Sequence, residues 1–323
     1  MNLYMALAGN NVKTQSVTIL AILVYSALTI TMYEHALKDA TALPRIDSSL
    51  TTADLIIFSF DRPTQLYALL ESLNLNIRGI ESTTVIYRSS HDRFTQAYAK
   101  VAQQFPAVRF VQQGKQPAHD FKPLVLEAFR MGKSPYICFA VDDIIVKAKA
   151  DMNAVTAAMA ATGAYGFYLR LGQHLTQCYS EGKAQPVPPL STVENSMLSW
   201  TLKDGIHDWG FANTVDMTIY RKKDLIKNFV TMDYANPNKL EGIWARYAHG
   251  HHNKKGLCFS DSVIVNIPIN LVQDVCHNRH MNAWSTDQLL EKFNEGLKID
   301  IRPLQGIKNE SCHIDYSLTF TNR

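Results

Sequence analysis

The run Tyr136-Ile137-Cys138-Phe139-Ala140-Val141, opened by Pro135 and closed by Asp142-Asp143, most constrains how this chain can fold. An unbroken apolar run of strand length fits a strand covered on both faces, the condition of a parallel sheet between helices. Two adjacent carboxylates at its carboxyl end then stand at the mouth of the sheet, where open α/β folds bind ligands. Neighbouring carboxylates repel unless a cation lies beside them. Hard oxygen donors in small number suit Mg²⁺ or Mn²⁺, held partly by substrate phosphates. An isolated Asp-Asp pair is also an ordinary solvated turn, so its meaning depends on what surrounds it.

What surrounds it alternates. Asp54 to Phe60 reads as a buried strand, and Pro63 opens a helix carrying Leu66, Leu69, Leu70 and Leu73. Proline suits that first turn because its missing N–H would be unpaired there anyway. Thr83 to Tyr87 and Val108 to Val111 read as strands, with helices over Asp92 to Phe105 and Phe121 to Arg130. After the central run come a helix over Asp151 to Thr162 and a strand over Gly166 to Leu171. Gln173 to Asp208, with Pro186, Pro188 and Pro189, reads as irregular and suits a substrate-facing loop. Thr214 to Arg221 and Ser262 to Ile267 are further strands, and Leu240 to His249 and Ser285 to Gly296 further helices. Such alternation predicts a mostly parallel sheet with helices on both faces.

Composition sets the outer limits. With 323 residues, 46% of them apolar and 19% charged, the chain can bury a sizeable core. A net charge of +3 without a dense basic block gives no footprint for nucleic acid. Five scattered cysteines include no CxxC pair and no zinc spacing. From Thr14 to Tyr33 no residue is charged, a length sufficient to cross a bilayer once. A cleaved signal peptide competes, but no clear small-x-small site follows; a merely hydrophobic N-terminal helix is the third alternative. Lys13 on one side balances Lys38 and Arg45 on the other, so the side of the membrane is not readable.

In pattern the chain resembles GT-A-fold glycosyltransferases, most nearly family 2. Ile56 to Pro63, with Leu69-Glu71-Ser72-Leu73, is similar to the family's opening strand, nucleotide-contacting turn and first helix. Tyr136 to Asp143 is similar to its strand and metal-binding "DXD" element, although here the carboxylates are adjacent. Thr218 to Leu225 resembles the strand-plus-basic segment, and Glu241 to Arg246 the acidic helix start, with a single Glu after Asn236-Pro237-Asn238. The resemblance covers roughly Ala53 to Pro268. The uncharged stretch and the polar residues after it read as an anchor and stem over 1–52, and the resemblance implies a GT-A-like domain over 53–323, divided into a nucleotide-binding half (53–150) and an acceptor half (151–323).

The resemblance also implies roles. The donor would be a nucleotide-diphosphate sugar, the acceptor a glycan, lipid or protein hydroxyl, and the cofactor a divalent cation, Mn²⁺ or Mg²⁺. Ser59, Asp61, Arg62, Lys122 and Asp142 are the candidate donor-binding residues, with Asp61 alternatively capping the following helix. Asp143, Asp142 and His313 are candidate metal ligands, with His277 and His280 competing for the histidine position. Glu241 is the candidate general base of an inverting displacement, with Asp216 and Asp208 as alternatives. As the bland alternative, Glu241 merely complements the helix dipole. Trp209 is either an acceptor-stacking ring or core, and Arg170 either meets Asp142 or phosphate or forms a structural ion pair. A nucleotidyltransferase would normally carry a glycine-rich basic loop after the first strand, and Phe60-Asp61-Arg62-Pro63 has none. A membrane-tethered, non-catalytic carbohydrate-binding protein is the remaining alternative.

Overall fold

The computed structural model describes residues 23–24, 26–43, 46–194, 196–272, 279–281 and 283–323. The chain divides into two compact units, Met1–Leu43 and Pro44–Arg323. In the first, residues 26–40 are helical, with Leu28, Ile30, Met32 and Tyr33 exposed. Much of the uncharged stretch expected to form an anchor, residues 14–22 and 25, lies outside the described residues. Among the described residues no helix is long and apolar enough to cross a membrane.

Among the described residues of the second unit, nine strands form the main sheet. They are β1 (Ala53–Phe60), β2 (Ile80–Arg88), β3 (Arg109–Gln112), β4 (Tyr136–Val141), β5 (Gly166–Tyr168), β6 (Ser191–Thr192), β7 (Met197–Thr201), β8 (Thr218–Arg221) and β9 (Lys255–Phe259). Their spatial order is β6-β7-β9-β5-β8-β4-β1-β2-β3. The pairs β1–β2, β1–β4, β2–β3 and β5–β9 are parallel. The pairs β4–β8, β5–β8, β7–β9 and β6–β7 are antiparallel. Seven strands therefore run one way, and only β7 and β8 are reversed. The sheet is mostly parallel, as the alternation predicts.

The helices are α1 (Pro63–Asn76), α2 (Asp92–Gln104), α3 (Pro117–Met131), α4 (Met152–Thr162), α5 (Lys222–Thr231), α6 (Pro237–Ala245) and α7 (Thr286–Asn294). Period-2 alternation along β1 sorts its side chains between two cores. Leu55 and Ile57 join Leu66, Leu69 and Leu70 of α1 and Val101 of α2 on one face. Phe58 stacks on Phe139, which meets Phe129 of α3, Phe229 of α5 and Trp244 of α6 on the other. Burial on both faces is why β1 and β4 read as continuous apolar runs.

Several boundaries differ from the sequence reading, for local reasons. The region expected to be irregular supplies β6 and β7, and β9 was not anticipated. Short strands with mixed polarity lack a period-2 signal. A β-carbon on Gly256 of β9 would lie 2.6 Å from the Trp200 ring of β7, so this strand carries a glycine where packing leaves no room. The strand expected over Thr214 to Arg221 begins only at Thr218, because Met217 has φ +40°, outside extended geometry. The helix expected over Leu240 to His249 starts earlier: Asn236 caps α6 by accepting from the Lys239 N–H at 2.9 Å, and Pro237 is its first residue. In the basic segment after β8, Lys222 is spent on the fold. Its ammonium lies fully buried 2.7 Å from Asp54, at the amino end of β1.

Candidate active site

Strand direction gathers the candidate residues at one edge. β1 and β4 are parallel with Phe58 opposite Val141, so Ser59 to Arg62 and Asp142-Asp143 leave the sheet side by side. β8 is antiparallel to β4, so its amino end, not its carboxyl end, reaches the same edge. The Met217 N–H donates to the Phe139 carbonyl at 2.8 Å and delivers Asp216 beside the carboxylate pair. β5 runs with β4, so Arg170 emerges just beyond its carboxyl end. A short ribbon completes the group: Ile264–Asn266 pairs with Ile144–Val146, directly after Asp143, and His313 bridges to Asn266. Asp61 and Met217 both hold positive φ, +51° and +40°. Such backbone costs on the order of 1–3 kcal/mol and clusters at functional sites.

Asp142 and Asp143 have separate roles. Asp142, 3% exposed, accepts from Arg62 Nη1 at 2.9 Å, Ser59 Oγ at 2.8 Å and the Phe60 N–H at 3.2 Å. Ser59 Oγ also shares a hydrogen bond of 2.6 Å with the buried Tyr98 hydroxyl. Arg62 is held from its other side by Asn270, whose Oδ1 accepts from Nε at 2.8 Å and whose carbonyl accepts from Nη2. Burial opposes the charge of Arg62, yet Asp142 and Asp143 together raise its pKa above the ordinary value. Ser59, Arg62 and Asp142 thus satisfy one another.

Asp143 is open by comparison. Arg62 Nη1 stands 3.9 Å away, and Asn266 Nδ2 lies 3.5 Å from Asp143 Oδ1 and 3.3 Å from Asp216 Oδ1. His313 Nε2 is 3.9 Å from Asp216 Oδ2. Burial pushes the Asp143 carboxyl up to about 7, Asp142 and Asp216 add to the rise, and Arg62 opposes it. Asn266 Oδ1 is buried without a hydrogen-bond partner. Carboxylates and one imidazole are donor types that Mg²⁺ or Mn²⁺ accepts, and the Asn266 amide turns its nitrogen to the two carboxylates.

Glu241 is the fifth residue of α6, not its start, so it lies past the turn where the helix dipole acts. Its Oε1 accepts from the Val215 N–H at 2.9 Å. Burial pushes its carboxyl to about 7, and the neighbouring Asp216 adds to the rise. Asp208 is committed elsewhere. Arg170, 2% exposed, meets Asp208 Oδ1 at 3.0 Å and donates to the Asp208 carbonyl at 2.8 Å. The Gln185 amide adds bonds of 3.3 and 3.1 Å to the same residue. Arg170 therefore forms the structural ion pair, not one with Asp142.

The remaining candidates are placed as follows. Asp61 does not cap α1; it accepts from the Ser90 N–H at 2.8 Å and ties the exit of β1 to the loop after β2, while Arg62 occupies the cap position. Lys122 donates to the Met232 carbonyl at 2.6 Å and lies over the Tyr234 ring. Trp209 is fully buried, its ring 5.0 Å from Trp200, and is core, with no face for a sugar. His277 lies outside the described residues. Asn266, Asn270 and Tyr98 escaped the sequence reading. The two asparagines interrupt the apolar Val263 to Val272, a signal that buried amides there serve a purpose.

No family model matches the chain. It is 26% identical over 272 residues to the bifunctional glycosyltransferase pgtA of Dictyostelium discoideum, which covers 73% of this chain and 35% of that protein. The chain thus spans about a third of the length of that relative, and the resemblance to glycosyltransferases holds at the level of sequence. Among solved structures, S. aureus TarS 1-349 in complex with UDP is 14% identical, with a TM-score of 0.43 over 66% of this chain and 59% of that one. The mannosyltransferase PcManGT from Pyrobaculum calidifontis, in complex with GDP-Man and Mn²⁺, is 11% identical, with a TM-score of 0.36 over 74% and 64%. At these scores the likeness is partial, and no property passes from either structure to this chain.

Proposed function

We propose that the chain is a divalent-cation-dependent glycosyltransferase that moves a sugar from a nucleotide-diphosphate donor to a hydroxyl acceptor with inversion. The observation that carries this reading is the grouping of Asp143, Asp216 and His313 around Asn266 at the mouth of a mostly parallel sheet, with Glu241 tied to the residue before Asp216. Sequence similarity to a glycosyltransferase supports it.

Asp143 and His313 would hold the cation. When bound, the cation neutralises the charge that grows on the diphosphate leaving group. Arg62 fixes Asp142, and Asp142 keeps the β1 and β4 ends in register, so Asp143 faces the donor in one orientation. Asp61, at a strained turn, marks the edge where the nucleoside would sit. Glu241 accepts the proton of the attacking hydroxyl. A carboxyl poised near 7 suits that role, since a general base works best when its pKa lies near the working pH. Burial, with Asp216 adding to it, holds the base in its raised state, and Asp216 is the alternative proton acceptor.

The deciding experiment incubates the full chain with Mn²⁺ and a panel of UDP- and GDP-sugars and follows release of nucleoside diphosphate. Turnover of one donor, lost with EDTA and restored by Mn²⁺, supports the reading. Pyrophosphate release from nucleoside triphosphates with no cleavage of any nucleotide sugar would replace it with nucleotidyl transfer. An N-terminal anchor over Thr14 to Tyr33 is part of the proposal: the full chain should pellet with membranes and residues 44–323 should not.

A further inference from the structure

Away from the strand mouth, a hairpin and a turn bring together three side chains of different ligand chemistry. The hairpin pairs Gln177–Cys178 with Lys183–Ala184. Glu181 lies at its tip, and His207 opens the 3₁₀ turn His207–Trp209. The Cys178 sulfur, a Glu181 carboxylate oxygen and a His207 ring nitrogen all lie within 4.8 Å of one another. Cys178 is 3% exposed, whereas Glu181 is exposed and His207 half-buried, so the cluster opens to solvent on one side. His207 Nδ1 already pairs with Glu181 Oε1 at 2.8 Å, and Lys183 competes for the other oxygen at 3.4 Å. His207 holds φ +50°, a left-handed backbone state that histidine adopts more readily than most residues.

We propose that Cys178, Glu181 and His207 form a Zn²⁺ site distinct from the candidate active site. A thiolate with an imidazole selects zinc over the oxygen-seeking Mg²⁺ or Mn²⁺, and the fourth tetrahedral position is left to water. Binding expels the thiol proton to solvent. The metal ties the hairpin to the turn that carries Asp208. Asp208 and Gln185, just beyond the hairpin, both belong to the network holding Arg170. The site is thus a clip on the segment flanking the strand mouth, and it takes no part in sugar transfer.

The test uses the full chain, reduced and stripped of metal, titrated with Co²⁺ and then Zn²⁺. Co²⁺ should give one thiolate-to-metal charge-transfer band, bleached by one equivalent of Zn²⁺, and Zn²⁺ should raise the melting temperature by several degrees. Cys178→Ser should abolish the band. His207→Ala and Glu181→Gln should each weaken Zn²⁺ binding by more than about 10-fold, the scale on which even outer-shell changes act. Asp143→Asn should leave band and affinity intact. Circular dichroism of each variant guards against misfolding, and Glu181→Gln, on an exposed side chain, keeps the test open if Cys178→Ser fails to fold. Absence of a band in the wild type, its persistence in Cys178→Ser, or its loss in Asp143→Asn would overturn the proposal.

Discussion

Arg62 lies 2.9 Å from Asp142 but 3.9 Å from Asp143, and one guanidinium thereby assigns two adjacent carboxylates to different work. Asp142 is neutralised and built into the fold. Asp143, with more of its surface open, stands at the mouth of the sheet with its carboxyl pushed by burial up to about 7.

Asp143→Asn should abolish nucleotide-sugar turnover and remove its dependence on Mn²⁺, while the melting temperature at pH 8 stays level or rises. Burial disfavours the Asp143 carboxylate, so removing that charge relieves the fold. Turnover within a few-fold of wild type would end the assignment of Asp143 to the cation.

Asp142→Asn should act on stability instead. Removing one partner of a buried ion pair leaves the other uncompensated, at a cost of about 3–5 kcal/mol. Urea denaturation at pH 7 reads this directly, and a loss below about 1 kcal/mol would show that Asn270 and Asp143 suffice to hold Arg62.

Glu241→Gln should lower kcat by about 10² to 10⁴ with donor affinity nearly unchanged, because Gln keeps the shape but takes no proton. Wild-type kcat should rise with pH through about 7, where Glu241 loses its proton, and the variant should lack that limb. The stability effect has the opposite sense. A carboxyl whose folded pKa is raised contributes stability that is complete below about 4.5 and lost as pH rises through about 7. The variant should therefore gain melting temperature relative to wild type on going from pH 5 to pH 8. A constant difference across that range would contradict the buried, raised state of Glu241.

Asp208→Asn separates the alternative base from a structural partner. Arg170 would keep its backbone bonds but lose its countercharge, and stability should fall by about 3–5 kcal/mol. The folded fraction should retain kcat within a few-fold. Pairing Asp208→Leu with Arg170→Met should cost less than the two single changes together, the mark of a direct interaction. A kcat loss of 100-fold in a stably folded Asp208→Asn would return the base to Asp208.

Much of the fold was legible along the chain because β1 and β4 are buried on both faces and α1 and α7 announce their starts locally. Pro63 opens α1, and Ser285 with Gln288 forms a capping box at α7. The Asp142-Asp143 pair was legible for the same reason: its place follows from the end of an apolar run. β6, β7 and β9 were not, since each is short and of mixed polarity, and β7 and β9 take their register from segments far away in sequence.

Residue types and their order determined which groups were available: paired carboxylates at a strand end, an acid in the later helix, a late histidine. Tertiary structure decided what each group does. Only the reversal of β8 brings Asp216 to Asp143, only the ribbon Ile264–Asn266 places an amide between them, and only Arg170 removes Asp208 from the set. The physical reason is that a carboxylate's role depends on its partners and its burial, and those are supplied by segments far away in sequence.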